Sequence, residues 1–97
     1  MNPYKVIIRP IITEKTRYQA SELDQYTFQV DRDANGIEVK RAIEAIYGVD
    51  VVAVNMANVP AKASNRSGRR RIVRRAAWKK AIVTVAEGQQ LDVFEGV

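Results

Sequence analysis

Residues 51–86 read VVAVNMANVPAKASNRSGRRRIVRRAAWKKAIVTVA, and the fold follows from how this stretch divides. Its first part, with Val49 and Asp50 ahead of it, is rich in Val and short of Leu and Lys. It reads as one long strand to Val59, whose inward face is ambiguous at Val51-Val52. Its last part, Trp78 to Ala86, resumes as a strand that Gly88 breaks. Between them, Pro60 to about Arg75 offers Ser, Asn, Gly and clustered Arg, with Ile72-Val73 as its bulky apolar content. Such a segment cannot bury enough surface to offset its own ordering entropy. Antiparallel pairing of the two flanking strands therefore makes residues 60–76 a flexible, extended basic hairpin.

The rest of the chain builds outward from this pair. Ile and Val together number 22 against 2 Leu, and β-branched side chains favour a sheet-centred core. Tyr4 to Ile8 reads as a first strand closed by Pro10. Thr13 caps a short helix running to about Ser21, with Glu14 in its first turn. Tyr26 to Val30 alternates apolar and polar, as a half-buried strand does. Val39, Ala42, Ile43, Ile46 and Tyr47 then fall on one helical face, with Glu38, Lys40, Arg41 and Glu44 opposite as a solvated face. Asn35 and Glu38 form a capping-box-like start, and Gly48 suits the stop. Leu91 to Phe94 reads as a short final turn. The order strand, helix, strand, helix, strand, strand, with the helices segregated from an antiparallel sheet, defines an α+β fold. With 97 residues, the chain is read as a single domain, residues 1–97, with one modest core.

Charge is distributed unevenly. Residues 1–50 carry 7 basic and 8 acidic side chains, residues 51–86 carry 9 basic and none acidic, and residues 87–97 carry 3 acidic and none basic. Solubility needs interspersed charge, so an unbroken basic block points to a polyanionic partner. Arg66, Arg69, Arg70, Arg71, Arg74 and Arg75 put six guanidinium groups into ten residues. Their planar forks bind phosphate bidentately and stack on bases, which favours nucleic acid over a generic anionic surface. Lys62 lies on the same arm, and Gly68 lets its backbone turn close to a ligand. Trp78, beside Lys79-Lys80, either stacks on an unpaired base or packs into the core. Lys5, Arg9, Lys15 and Arg17 read equally well as an extension of the RNA-facing set or as ordinary surface charge, and Arg9 and Lys15 are carried into that set.

Several function classes lose support. The chain has no Cys and no His, so no thiolate site and no side chain with an unperturbed pKa near neutrality. No Gly-rich phosphate loop or catalytic dyad appears, no cofactor or small-molecule substrate is implied, and an enzyme is not expected. Asp31 and Asp33 read as turn and cap residues rather than a metal pair. The longest early apolar run, Val6-Ile7-Ile8, stops at Arg9-Pro10, too short for a signal peptide or a membrane span. The chain is therefore expected to be soluble and cytoplasmic, without membrane insertion. Tyr26 and Phe28 share a strand face and read as packing rather than as a base-stacking platform.

Three sets of residues resemble a known family, the bacterial form of the universal large-subunit ribosomal protein numbered twenty-three. The most specific is Trp78-Lys79-Lys80-Ala81-Ile82-Val83-Thr84 followed by Glu87-Gly88-Gln89 and Phe94. The second is Arg9-Pro10 leading to Thr13-Glu14-Lys15, and the third is the helix Ile37 to Tyr47 with Gly48 and Val54-Asn55. Val85 stands where the family commonly has Leu, and the tip Pro60 to Arg66 has fewer bases than many members. The resemblance implies a two- or three-layer α/β sandwich with a four-stranded antiparallel sheet and a structural role in the large ribosomal subunit. It implies binding of ribosomal RNA beside the polypeptide exit tunnel, neighbouring large-subunit proteins as partners, and a hairpin reaching into the tunnel wall. It also implies docking of trigger factor and the signal recognition particle, with Thr13 and Glu14 matching the family's docking position. From the residues alone, Glu14 is explained by the helix dipole. The competing reading from the residues is an architectural DNA-binding protein that uses the basic β-arm, with Pro60 and Ile72-Val73 as its wedge.

Overall fold

The computed structural model describes residues 2–60, 62–66, 70–75 and 77–93, the second and third of these segments in backbone only. Asn2 begins it: its Oδ1 accepts from the Tyr4 N–H at 3.0 Å, and Pro3 occupies the first helical position. This cap makes Pro3–Val6 a single helical turn, α1, where the sequence pattern suggested a strand from Tyr4. The first strand, β1, is Ile7–Pro10. Helix α2 is Glu14–Leu23, held at its start by a reciprocal box. The Thr13 hydroxyl accepts from Thr16 N–H at 3.2 Å, and Thr16 Oγ1 accepts from Thr13 N–H at 2.8 Å. Asp24, at φ +55°, turns the chain into β2, Gln25–Val30.

Helix α3, Gly36–Tyr47, carries the expected Asn35–Glu38 box and ends on Gly48 at φ +66°. Strand β3, Val51–Val59, follows, then β4, Lys62–Arg66, β5, Arg70–Arg75, and β6, Trp78–Val85. The sheet order is β1-β2-β6-β3, antiparallel throughout. Strands β4 and β5 pair as a separate antiparallel ladder, between the ends of β3 and β6. The chain spans 52 × 31 × 23 Å with a radius of gyration of 15.4 Å. A compact chain of this length would have about 12.5 Å.

Phe28, Ile43, Val30, Val39 and Val83 are the largest fully buried side chains, each contributing about 1.5–3 kcal/mol of burial. They sit between α3 and one face of the sheet. Phe28 and Tyr47 meet there with ring centroids 6.1 Å apart. Tyr26 is also buried, and its hydroxyl oxygen accepts from the Leu91 N–H at 3.3 Å, which folds the chain after β6 back over the core. Residues 91–93 form no helical turn, and Phe94 lies outside the described residues.

Two irregularities decide which way side chains point. The Val51-Val52 ambiguity is a β-bulge: the register slips between Val51 and Ala53, Val51 is buried, and Val52 is 69% exposed. Glu44 Oε2 accepts from the Val51 N–H at 3.1 Å, so this helix residue is used rather than merely solvated. A second slip lies in β1, between Ile7 and Arg9.

Candidate nucleic-acid interface

Strand β6 is central, and its side chains alternate between two faces. Ala81, Val83 and Val85 are buried toward α3. Lys79 shares their face, and its Nζ donates to the Ala34 carbonyl oxygen at 2.6 Å. Trp78, Lys80, Ile82 and Thr84 occupy the opposite face and stay partly exposed. Trp78 is partly buried and does not belong to the core cluster. It lines a cleft with Arg32, Asn58, Val59 and Pro60, at the end of β6 that follows the β4–β5 ladder.

The two other cations from the first half of the chain separate. Arg9 is exposed on β1, and its Nε donates to Gln29 Oε1 at 2.8 Å. Gln29 is in turn paired with Lys80 across β2 and β6. Lys15 is exposed on α2, on a different element from this row. Lys62, Arg66, Arg70, Arg71, Arg74 and Arg75 lie on β4 and β5, with Lys62 paired to Arg75, Asn65 to Arg71 and Arg66 to Arg70. Their side chains, and Gly68 and Arg69 entirely, lie outside the described residues. The ladder brings the basic residues of the arm onto two adjacent antiparallel strands.

Thr13 and Glu14 open α2. The Thr13 hydroxyl is occupied as the helix cap, and Glu14 is exposed with no hydrogen-bond or ion-pair partner among the described residues. Asp31 Oδ1 accepts from the Asp33 N–H at 2.8 Å, the turn geometry the sequence suggested. Among the described residues no cluster of His, Cys, Asp or Glu could hold a metal ion, and no helix is long and apolar enough to cross a membrane. Sequence reasoning missed Gln29 and Arg32. Gln29 carries no charge to draw notice, and Arg32 is disguised between Asp31 and Asp33.

The chain matches known proteins along its whole length. The family model described as ribosomal protein L23 matches residues 5–93. A protein of Roseiflexus sp. (strain RS-1), named large ribosomal subunit protein uL23, is 48% identical over 96 residues, covering 99% of each chain. Proteins of the same name from Desulfatibacillum aliphaticivorans and Geobacter sulfurreducens are 44% identical over 97 residues and 47% identical over 95. They cover 100% of both chains in the first case, and 98% of this chain and 99% of the relative in the second. The tryptophan-dilysine strand, the Thr-Glu-Lys helix start and the Asn-capped helix α3 all fall inside the matched residues. With a family match of this extent and relatives this similar, the chain belongs to the ribosomal protein L23 family.

Proposed function

We propose that this chain is a structural constituent of the large ribosomal subunit in the bacterial cytoplasm and binds its RNA through the basic β4–β5 arm and the adjoining end of the sheet. The observation that carries this reading is the family match over residues 5–93 to ribosomal protein L23. The 9 bases of residues 51–86 come without one acid, and the placement of 8 of them on β4, β5 and β6 supports it. Charge neutralisation of crowded phosphates is what such an arm does best, and the RNA in turn offers the arm a shape to fill. Membership in a ribosomal family, rather than any missing catalytic group, sets the enzyme reading aside.

The finer parts of the reading rest on the same resemblance. The protein lies beside the exit tunnel among other large-subunit proteins, with its hairpin toward the tunnel wall. Glu14 and Thr13 present the docking place for trigger factor and the signal recognition particle. The exposure of Glu14 at the start of a firmly capped helix supports that role. Sedimentation tests the whole: the endogenous protein should travel with large subunits through a high-salt wash. Release at moderate salt would make it a loosely attached factor. Preference for duplex DNA over structured RNA in competition would favour the architectural β-arm instead.

A further inference from the structure

The four-stranded sheet contains no acidic residue in any of its strands, and its cations are Arg9, Lys79 and Lys80. Lys79 is committed to Ala34 on the face packed by α3. Arg9 and Lys80 remain, and the register puts them in one row across three strands. Arg9 pairs with Gln29, and Gln29 pairs with Lys80.

This row exists because of the slip in β1. Ile7 pairs with Val30, and without the slip Ile8 would face Gln29 while Arg9 would face Phe28, toward the core. The register instead advances past Ile8, which is 54% exposed, and sets Arg9 opposite Gln29 on the second face of the sheet. Bulges commonly re-aim a side chain in this way. The Arg9 Nε to Gln29 Oε1 hydrogen bond of 2.8 Å then fixes the guanidinium, leaving its outer N–H groups without a partner among the described residues. The Lys80 ammonium likewise has none there. Neighbouring strands lie about 4.8 Å apart, so Arg9 and Lys80 are about 10 Å apart at their backbones, within side-chain reach of a single phosphate between them. With its oxygen engaged by Arg9, the Gln29 amide has N–H groups to offer to the same anion.

We infer that Arg9, Gln29 and Lys80 form a phosphodiester-binding row on the sheet face, separate from the β4–β5 arm, in which Gln29 is a positioning residue for the Arg9 guanidinium. This rests on the RNA-binding reading above and adds a second point of attachment for the backbone of the same RNA. Two attachments on one rigid sheet and its arm fix the orientation of the body, which an arm alone does not.

The test uses the full chain and a transcript of the large-subunit ribosomal RNA of the source organism, titrated across salt concentrations. Arg9→Ala and Lys80→Ala should each weaken binding about tenfold and make the slope of log affinity against log salt shallower by about 0.7–0.9. Arg9→Lys should keep the slope and still lose affinity, because an ammonium cannot donate from both Gln29 and the phosphate in the same fork. Gln29→Glu keeps an acceptor for Arg9 but neutralises it, and should weaken binding more than Gln29→Ala. If Gln29 only braces the sheet, Gln29→Ala lowers the melting temperature and the RNA affinity of the folded protein stays at the wild-type value. Wild-type affinity and slope in Arg9→Ala and Lys80→Ala, with binding still weakened by Arg70→Gln/Arg71→Gln, would overturn the row and leave the arm standing. Absence of RNA binding by the wild-type chain would remove both.

Discussion

Lys79 and Ala34 are joined by a 2.6 Å hydrogen bond from the ammonium to the carbonyl oxygen, which ties the central strand β6 to the approach of α3. Lys80, the next residue, faces the other way. Two adjacent lysines thus have different duties. Lys79→Ala should destabilise the fold by about 1.5 kcal/mol, as loss of a partly buried charged hydrogen bond does, lowering the melting temperature by about 6–12 °C. Lys80→Ala should leave the melting temperature almost unchanged. Thermal unfolding of the two variants side by side decides this.

Tyr47 is partly buried against Phe28, and burial pushes its phenol above the usual tyrosine value of 10.0. The folded state therefore retains this proton where the unfolded chain has released it, so the contribution is intact below pH 10 and is lost as pH rises through the folded value. Urea unfolding between pH 9 and 11 should show stability falling with pH. In Tyr47→Phe this part of the fall should be absent.

Gly48 ends α3 at φ +66°, and a Cβ placed there would meet nothing within 4 Å. The cost of Gly48→Ala is then backbone strain alone, about 1 kcal/mol, without a clash to relieve. Denaturant titration should show a lower midpoint with an unchanged slope.

Glu14 is exposed at the first position of a helix whose start is already held by Thr13 and Thr16. Glu14→Ala should cost at most about 0.3–1 kcal/mol of stability through the helix dipole. Subunit assembly should survive while trigger factor affinity for ribosomes drops. Unchanged affinity would remove docking from this residue.

If the arm neutralises about six phosphates, log affinity for ribosomal RNA should fall against log salt with a slope of about −4 to −5. Replacing Arg70, Arg71, Arg74 and Arg75 by Gln should make that slope shallower by about 3. A filter-binding series across salt gives the answer directly, and a wild-type slope near zero would contradict phosphate neutralisation.

Helix α3 was the most legible element, since Asn35, Glu38 and Gly48 mark its ends by local chemistry that the structure reproduces. Strand β6 was legible for a similar reason: its apolar residues alternate with the β-propensity of a sheet. The start of the chain was misread because Val6, Ile7 and Ile8 outweighed the Asn2-Pro3 cap, which is short but geometrically decisive. The bulge at Ile8 was not legible at all. A register slip depends on which strand lies alongside, and β2 is about 20 residues away in sequence. Trp78 lies outside the core cluster because strand parity puts it on the face of β6 opposite α3, a matter of register rather than of its own hydrophobicity. Lys79 and Lys80 look identical in sequence, and only the parity of the strand separates a structural ammonium from an available one.

Strand β6 is interior to the sheet and follows β5 after two intervening residues, while β3 ends two residues before β4 begins. Force applied to the arm along its length consequently runs into two strands hydrogen-bonded side by side over eight residue pairs. Pulled from their shared end the two strands move together, so the load passes in shear to the β2–β6 ladder of six residue pairs, where many bonds must give at once instead of being peeled open singly. Through β6 such a load reaches the interior of the sheet and not its edge alone.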